Sequence, residues 1–282
     1  GLPLETVQTK PMEVQPGICE VRDPRMDKLV ALYKPEKVAH ARIEYSLLPD
    51  FILSGPTKDI IFQQLKNADE ICFVARAESA AADIANFISE LVIYDLMLAE
   101  KRLTTIAKDQ KARFTEQKEK EKTLMETCKK ALEAEKPLKD IEFTPEQIKD
   151  LRAYQLFTMK PVILAVNVPE AQIKDSELAK QIEARFHFPC VALCAELEEE
   201  VNRLDEAERA PFLKELGIDE PAVNKMTRLA FSGLGLISYF TVGSDEVKAW
   251  SVARGATAPE AGGVIHSDIA KGFVRAEMFT YD

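Results

Sequence analysis

From Ile84 to Phe114 the chain carries Ile84, Phe87, Ile88, Leu91, Asp95, Leu98, Leu103 and Ile106 with few helix breakers. That spacing predicts one long helix. Thr115 to Thr123 (TEQKEKEKT) is entirely polar, and a helical stripe resumes at Leu124, Cys128, Ala131 and Leu132 before Pro137 ends it. Two helices that cannot each bury two faces, joined by a charged tip, predict an antiparallel hairpin projecting from the body. A single solvated helix with a kink fits the same pattern.

On both sides of this stretch the texture is mixed. Ala41–Leu48 (ARIEYSLL) and Glu70–Ala75 (EICFVA) have strand length and composition, and Ile60, Ile61, Leu65 and Ala68 between them share a helical face. Strand, helix, strand favours a parallel α/β sheet. After the hairpin, Thr144-Pro145-Glu146-Gln147 is a helix-start signal with Thr144 as cap. Pro161–Val168 (PVILAVNV) is the strongest buried-strand signal, followed by an amphipathic helix over 172–186 and a second apolar strand, Pro189–Ala195 (PCVALCA). One sheet interrupted by a helical insertion is the economical reading. Helices are predicted over 198–216 and 222–236. From Ile237 the segments 239–243, 247–252 and 273–279 read as β-rich, divided by glycine turns at Gly255 and Gly262-Gly263.

The 282 residues suffice for one large domain or two to three small ones. No run of eighteen apolar residues is present, so no membrane span is expected, and GLPLETVQTK lacks the pattern of a secretion signal. Five scattered cysteines, Cys19, Cys72, Cys128, Cys190 and Cys194, do not read as a disulfide framework, which points to a reducing cytoplasm. A net charge of -10 disfavours indiscriminate nucleic-acid binding. Yet residues 100–136 hold 11 basic and 8 acidic side chains, a local +3, so the hairpin, through Lys118, Lys120 and Lys122, is a candidate RNA or partner surface.

In nucleotide-binding α/β proteins the ligand sits at the carboxyl ends of the strands. Asn167-Val168-Pro169-Glu170 stands at the end of the best strand, where an amide offers donor and acceptor to a purine edge and a carboxylate accepts from ring nitrogens. The next strand ends in Cys194-Ala195-Glu196, a loop whose backbone N–H groups could face the same base. Each stretch also fits an ordinary strand-to-helix turn. His40, His187 and His266 lie far apart, with no spacing that forms a zinc motif. Cys190 and Cys194 read as core thiols, and Trp250 as a core or interdomain anchor.

At this point a family resemblance becomes specific. Val247–Trp250 (VKAW), Gly255–Pro259, Val264–Asp268 and Gly272–Glu277 resemble the TGS domain of the YchF family of Obg-like ATPases, P-loop NTPases of the translation-factor class. The segment Val21–Asp27 (VRDPRMD) resembles that family's D-P-R-L-D run, and Leu216-Gly217-Ile218 with the helix reaching Gly235-Leu236-Ile237 also matches. The similarity covers nearly the whole chain.

The resemblance implies an α/β, G-domain-like P-loop NTPase fold with a coiled-coil insertion and a small β-rich (β-grasp) TGS domain that stops partway, at Asp282. The corresponding boundaries are 1–90 and 156–234 for the G-like domain, 91–155 for the hairpin and 235–282 for the TGS-like part. Asn167 and Glu170 match the family's N-x-x-E base motif, with Val168 inside it, and Cys194, Ala195 and Glu196 match the loop that follows. The family's Glu, where most G proteins carry Asp, is associated with accepting ATP. The resemblance thus implies a monomeric, cytoplasmic protein that binds ATP or GTP with Mg²⁺ and associates with ribosomes or RNA.

Departures limit that implication. No G-x-x-x-x-G-K-[ST] occurs in the sequence, and that motif supplies the phosphate cradle, its lysine and the Mg²⁺ hydroxyl. The family carries it ahead of the segment matching Val14–Asp27, so a phosphate site is expected only in residues preceding Gly1. Leu47-Leu48-Pro49-Asp50 stands where the family has its D-x-x-G switch, and the glycine-rich loop after it is shortened to Ser54–Lys58. Hydrolysis is therefore expected to be slow or absent, with catalytic residues unassigned. The competing reading is a pseudo-NTPase that grips RNA or a ribosome through the hairpin and the TGS-like surface.

Overall fold

The computed structural model describes residues 13–49, 58–112, 115–174 and 177–278. It divides into two compact units. The first comprises Gly1–Leu53, Val168–Ser176 and Val191–Asp282, and the second Ser54–Asn167 and Glu177–Cys190. Among the described residues no helix is long and apolar enough to cross a membrane.

The first unit opens with strand β1 (Gln15–Val21) and helix α1 (Pro24–Tyr33). Asp23 caps α1, accepting the Arg25 N–H at 3.0 Å, and Pro24 sits at the first helical position, where a missing N–H costs nothing. Strands β2 (Lys37–Ala39) and β3 (Ala41–Leu47) follow. β3 pairs antiparallel with β1, from Gln15 opposite Leu47 to Val21 opposite Ala41. This corrects the expectation that 41–48 would join a parallel sheet with 70–75. A short alternating strand carries no record of its partner, and the nearest antiparallel partner is β1.

The later part of this unit holds helices α7 (Ala195–Arg203), α8 (Glu206–Glu215) and α9 (Ala222–Gly233), then strands β7 (Leu236–Thr241) and β8 (Glu246–Ala253). β8 is central in a three-stranded sheet, antiparallel to β7 and parallel to β2. One face of that sheet, Val247 and Ala249, is buried with Met26, Val21, Ala41 and Phe231. Trp250 is half-buried: its indole N–H donates to Thr241 Oγ1 at 3.0 Å, and Lys248 Nζ lies 3.8 Å from its ring centroid.

Two expectations for the C-terminal stretch are corrected. Gly262 and Gly263 form no turn but lie inside helix α10 (Ala258–Ile265), opened by a capping box between Thr257 and Glu260. Helix α11 (Ser267–Lys271) follows, and residues 273–278 are irregular rather than a strand. The end of that predicted strand, Phe279, lies outside the described residues. Apolar alternation there marked β-propensity, and propensity without a ladder partner makes no strand.

The second unit contains helix α2 (Lys58–Asn67), strand β4 (Ile71–Arg76), the 33-residue helix α3 (Ala80–Ala112) and helix α4 (Glu116–Glu133). At 1.5 Å per residue α3 is about 50 Å long. The two helices share a core in which Ile106, Met125, Cys128 and Leu132 are at most 1% exposed. The predicted stripe is therefore the buried face. The polar stretch read as a tip is helix from Glu116 onward, capped by Thr115, whose hydroxyl accepts the Lys118 N–H at 3.3 Å. Helical charge pairs such as Lys120–Glu116, at 3.1 Å, make a fully polar turn compatible with helix.

Helix α5 (Pro145–Arg152) starts with the predicted capping box, Thr144 with Gln147. Strand β5 (Val162–Asn167) follows, buried on both faces through Val166, then helix α6 (Glu177–Phe186) and strand β6 (Cys190–Leu193). β5 runs parallel to β4 in register, Ile71 opposite Val162 through Arg76 opposite Asn167. The sheet order is β4-β5-β6. Because β4 precedes the hairpin and β5 follows it, the helical excursion is an insertion within one parallel sheet.

Candidate functional site

The candidate loops begin where β5 and β6 end. Asn167 is the last residue of β5, half-buried, and its C=O accepts the Ala77 N–H at 3.0 Å. That bond extends the β4–β5 ladder by one step and fixes the Asn167 backbone. Val168, 4% exposed, donates its N–H to the Leu193 C=O at 2.8 Å. This bond ties the start of one candidate loop to the residue just before the other.

Beyond Val168 the chain turns sharply. Pro169 C=O accepts the Gln172 N–H at 2.9 Å, and Glu170 C=O accepts the Ile173 N–H at 3.1 Å, closing a 3₁₀ turn over Glu170–Gln172. Glu170 is exposed, which leaves its carboxylate open to a ligand approaching from solvent. On the other loop Cys194 is 3% exposed and is the N-cap of α7, accepting the Glu198 N–H on its C=O at 3.0 Å. Its side chain makes no cap hydrogen bond, so Cys194 packs as a core thiol. Cys190 is likewise buried, at 6% exposure, but on β6 rather than on a strand shared with Cys194. Ala195 and Glu196 are exposed in the first turn of α7, where the positive end of a helix dipole favours an acceptor.

Val168, Glu170, Cys194, Ala195 and Glu196 thus lie on two neighbouring loops of one unit, with Asn167 joined to Val168 by its own peptide bond. The Asn167 amide supplies a donor and an acceptor, and the Glu170 carboxylate three positions on supplies acceptors, which are the groups that suit a flat, polar ring edge. Asp50 and Ser54–Thr57, read as the altered switch and shortened loop, lie outside the described residues. Lys58, the last residue of that loop, ion-pairs with Glu90 at 2.7 Å.

The three hairpin lysines are not brought to the base loops. Lys118 Nζ lies 3.3 Å from Asp109, Lys120 3.1 Å from Glu116, and Lys122 3.9 Å from both Glu119 and Glu126. Each local positive charge has an acidic neighbour, which lowers the field these lysines project.

A family model named YchF-GTPase_C, described as "Protein of unknown function (DUF933)", matches residues 236–282. The "Ribosome-binding ATPase YchF" of Bacillus subtilis strain 168 is 33% identical over 293 residues, covering 94% of this chain and 78% of that protein. This chain belongs to the YchF family. The protein of the same name from Haemophilus influenzae is 31% identical over 295 residues, covering 96% of this chain and 80% of its own length. The solved structure of the Schizosaccharomyces pombe YchF GTPase superposes with a TM-score of 0.80 at 25% identity, over 92% of this chain and 76% of that one. The P-loop NTPase fold with a helical insertion, expected from the residues quoted above, is therefore the fold of this YchF-family chain.

The residues present fit a YchF nucleotide only in part. Asn167 and Glu170 suit a base, but no G-x-x-x-x-G-K-[ST] stands in the sequence to cradle phosphates. Among the described residues no group of three or more His, Cys, Asp or Glu is placed to hold a metal ion.

Sequence reasoning missed the groups that hold this region in shape. Glu198 Oε1, from the first turn of α7, accepts the Ala222 N–H at 2.6 Å and so caps α9, whose own cap residue, Pro221, has no side chain able to do it. Burial pushes the Glu198 carboxyl up, while bonds from the Ala222 and Val223 N–H groups oppose that shift. In the second unit Lys160 Nζ donates to the C=O of Lys66 at 2.9 Å and to that of Ala68, satisfying the carbonyl end of α2. The partners in these contacts are 24 or more residues apart in sequence, beyond any local pattern.

Proposed function

We propose that this chain is a nucleotide-binding, ribosome-associated protein of the cytoplasm that takes ATP in preference to GTP. The observation that carries the reading is the alignment of nearly the whole chain with proteins named ribosome-binding ATPases. Adding to it, Asn167 and Glu170, which resemble the family's N-x-x-E motif, stand at and just past the carboxyl end of a buried parallel strand. On this reading Asn167 pairs with the base edge and Glu170 accepts from its nitrogens. Val168 and Cys194 hold the two loops in register, and Ala195 and Glu196 border the base from the second loop.

The reading divides the chain into a G-like domain (1–90 and 156–234), the hairpin (91–155) and a TGS-like part (235–282), acting as a monomer with nucleotide and Mg²⁺ as its ligands. Hydrolysis is slow or absent, because Leu47-Leu48-Pro49-Asp50 stands in place of the family's D-x-x-G. The ribosome-facing surface is the hairpin around Lys118, Lys120 and Lys122.

Co-sedimentation of the full chain with ribosomes, with and without ATP, tests the proposal. The expected result is pelleting whose extent depends on ATP. A protein that stays in the supernatant under both conditions contradicts it.

A further inference from the structure

Within the second unit the carboxyl end of β4 stands beside that of β5. Arg76, the last residue of β4, is the Cα partner of Asn167 across the parallel ladder. Neighbouring strands lie about 4.8 Å apart, and residues directly opposite each other share a face of the sheet. The Arg76 side chain therefore leaves the sheet next to that of Asn167. The turn after it is tied down, with the Ala77 N–H donating to the Asn167 C=O at 3.0 Å and the Ser79 N–H to the Arg76 C=O at 3.2 Å.

On the β4 side that face is open. Val74, two residues earlier on it, is 57% exposed, and Arg76 is exposed as well. Helix α3 covers the opposite face, where the Phe73 and Phe87 rings stack with centroids 4.3 Å apart. Among the described residues Arg76 makes no ion pair. The nearest acidic groups in sequence are Glu78, which is exposed, and Asp83, whose carboxylate is taken by the Ser79 hydroxyl at 2.5 Å.

An arginine without an internal partner thus stands where parallel sheets take their ligands. Its guanidinium fork matches phosphate oxygens two at a time. With the base edge on Asn167 and the base between the β5 and β6 loops, the β4 side is left for the ribose and the phosphate next to it, because the sheet order is β4-β5-β6.

We propose that Arg76 binds the 5′-phosphate adjoining the ribose, so that the chain tells a nucleotide from a nucleoside through a residue outside any G-x-x-x-x-G-K-[ST] motif. The proposal rests on the nucleotide reading above and adds the group that recognises the first phosphate. One phosphate is then enough to strengthen binding.

The test is a calorimetric titration of the full chain with adenosine and with AMP, for wild type, Arg76→Gln and Arg76→Lys. Wild type should bind AMP about tenfold more tightly than adenosine, the worth of roughly one hydrogen bond to a charged group. That advantage should shrink as salt rises. Arg76→Gln should bring AMP down to the adenosine value and leave adenosine binding unchanged, a pattern that loss of folding does not produce. Arg76→Lys, which keeps the charge but not the fork, should retain part of the advantage. AMP binding no tighter than adenosine in wild type overturns the proposal and leaves the base reading standing, as does an advantage that survives Arg76→Gln. Equal weakening of both ligands by Arg76→Gln also overturns it, since the role is then structural. Adenosine that does not bind at all overturns the base reading and the proposal with it.

Discussion

The Asp95 carboxylate, 1% exposed in the middle of α3, accepts the Thr158 N–H at 2.7 Å and the Thr158 hydroxyl at 2.6 Å. It also accepts the Phe157 N–H at 2.8 Å, and Thr158 Oγ1 in turn accepts the Leu138 N–H at 3.2 Å. One buried side chain thus pins the long helix to the turn that leads into β5, and so to the strand that ends at Asn167. Burial pushes the Asp95 carboxyl up, with the bonds from Thr158 and Phe157 and the charge of Lys160 opposing.

Removing that acceptor strands two backbone donors in the core. Asp95→Ala is expected to destabilise the protein by about 3 kcal/mol, from unsatisfied N–H groups at roughly 1–3 kcal/mol each. Asp95→Asn should cost less, since it keeps one acceptor but turns a donor toward a donor. Urea denaturation monitors both. A loss under about 0.5 kcal/mol, the size of an ordinary surface substitution, would sink the idea that Asp95 organises this turn.

Glu198 supplies the cap that Pro221 cannot. Glu198→Ala should cost about 1 kcal/mol, the usual worth of a helix cap. It should also raise amide hydrogen exchange at Ala222 and Val223 more than elsewhere in α9. Exchange that rises evenly along the helix would show that Glu198 acts through general packing instead.

Glu70 gives the protein a pH dependence near neutrality. Burial without a partner pushes its carboxyl up to about 7, and its Oε1 has no hydrogen-bond partner. The folded state then holds this proton more tightly than the unfolded chain does. Its favourable contribution is complete below the unfolded value near 4.5, fades as pH rises through about 7, and is absent above that. Glu70→Gln should flatten the stability profile between those limits and raise stability above pH 7 by about 1 kcal/mol, after discounting for solvent screening. Thermal melts across that range read the difference, and parallel wild-type and variant profiles would contradict it. The neighbouring Cys72 thiol is pushed up to about 12, first by burial and then by Glu70, so it stays protonated throughout.

Changing Lys118, Lys120 and Lys122 together to Glu should weaken ribosome co-sedimentation, and the weakening should shrink as salt rises. Because each lysine has an acidic neighbour within 4 Å, the single changes should be small. Unchanged sedimentation in the triple variant would remove the hairpin from the proposed surface.

What the sequence revealed depended on period and length. Leu124, Cys128 and Leu132 recur every four residues over a buried face, and PVILAVNV has no polar residue before Asn167, so the hairpin helix and β5 were both legible. Thr144 and Gln147 mark a helix start in the sequence, and the same pattern at Thr257 and Glu260 marks the start of α10, where the Gly262-Gly263 pair equally suits a turn and hides the helix. The partner of β3, the Glu198 cap and the Asp95 bonds were not legible, because each joins residues 20 or more positions apart. In the candidate site the loops were legible from the strand ends, but the Val168–Leu193 bond that sets them side by side was not.

Nucleotide binding through Asn167 and Glu170 is the account's central claim. Its most direct test is a calorimetric titration of the full chain with ATP and with GTP, for wild type, Asn167→Ala and Glu170→Asp. The account predicts that ATP binds more tightly than GTP. Asn167→Ala should weaken both about tenfold, the cost of roughly one lost base contact, and Glu170→Asp should move the preference toward GTP. Wild-type protein that binds neither nucleotide, or variants that bind both as wild type does, would contradict it.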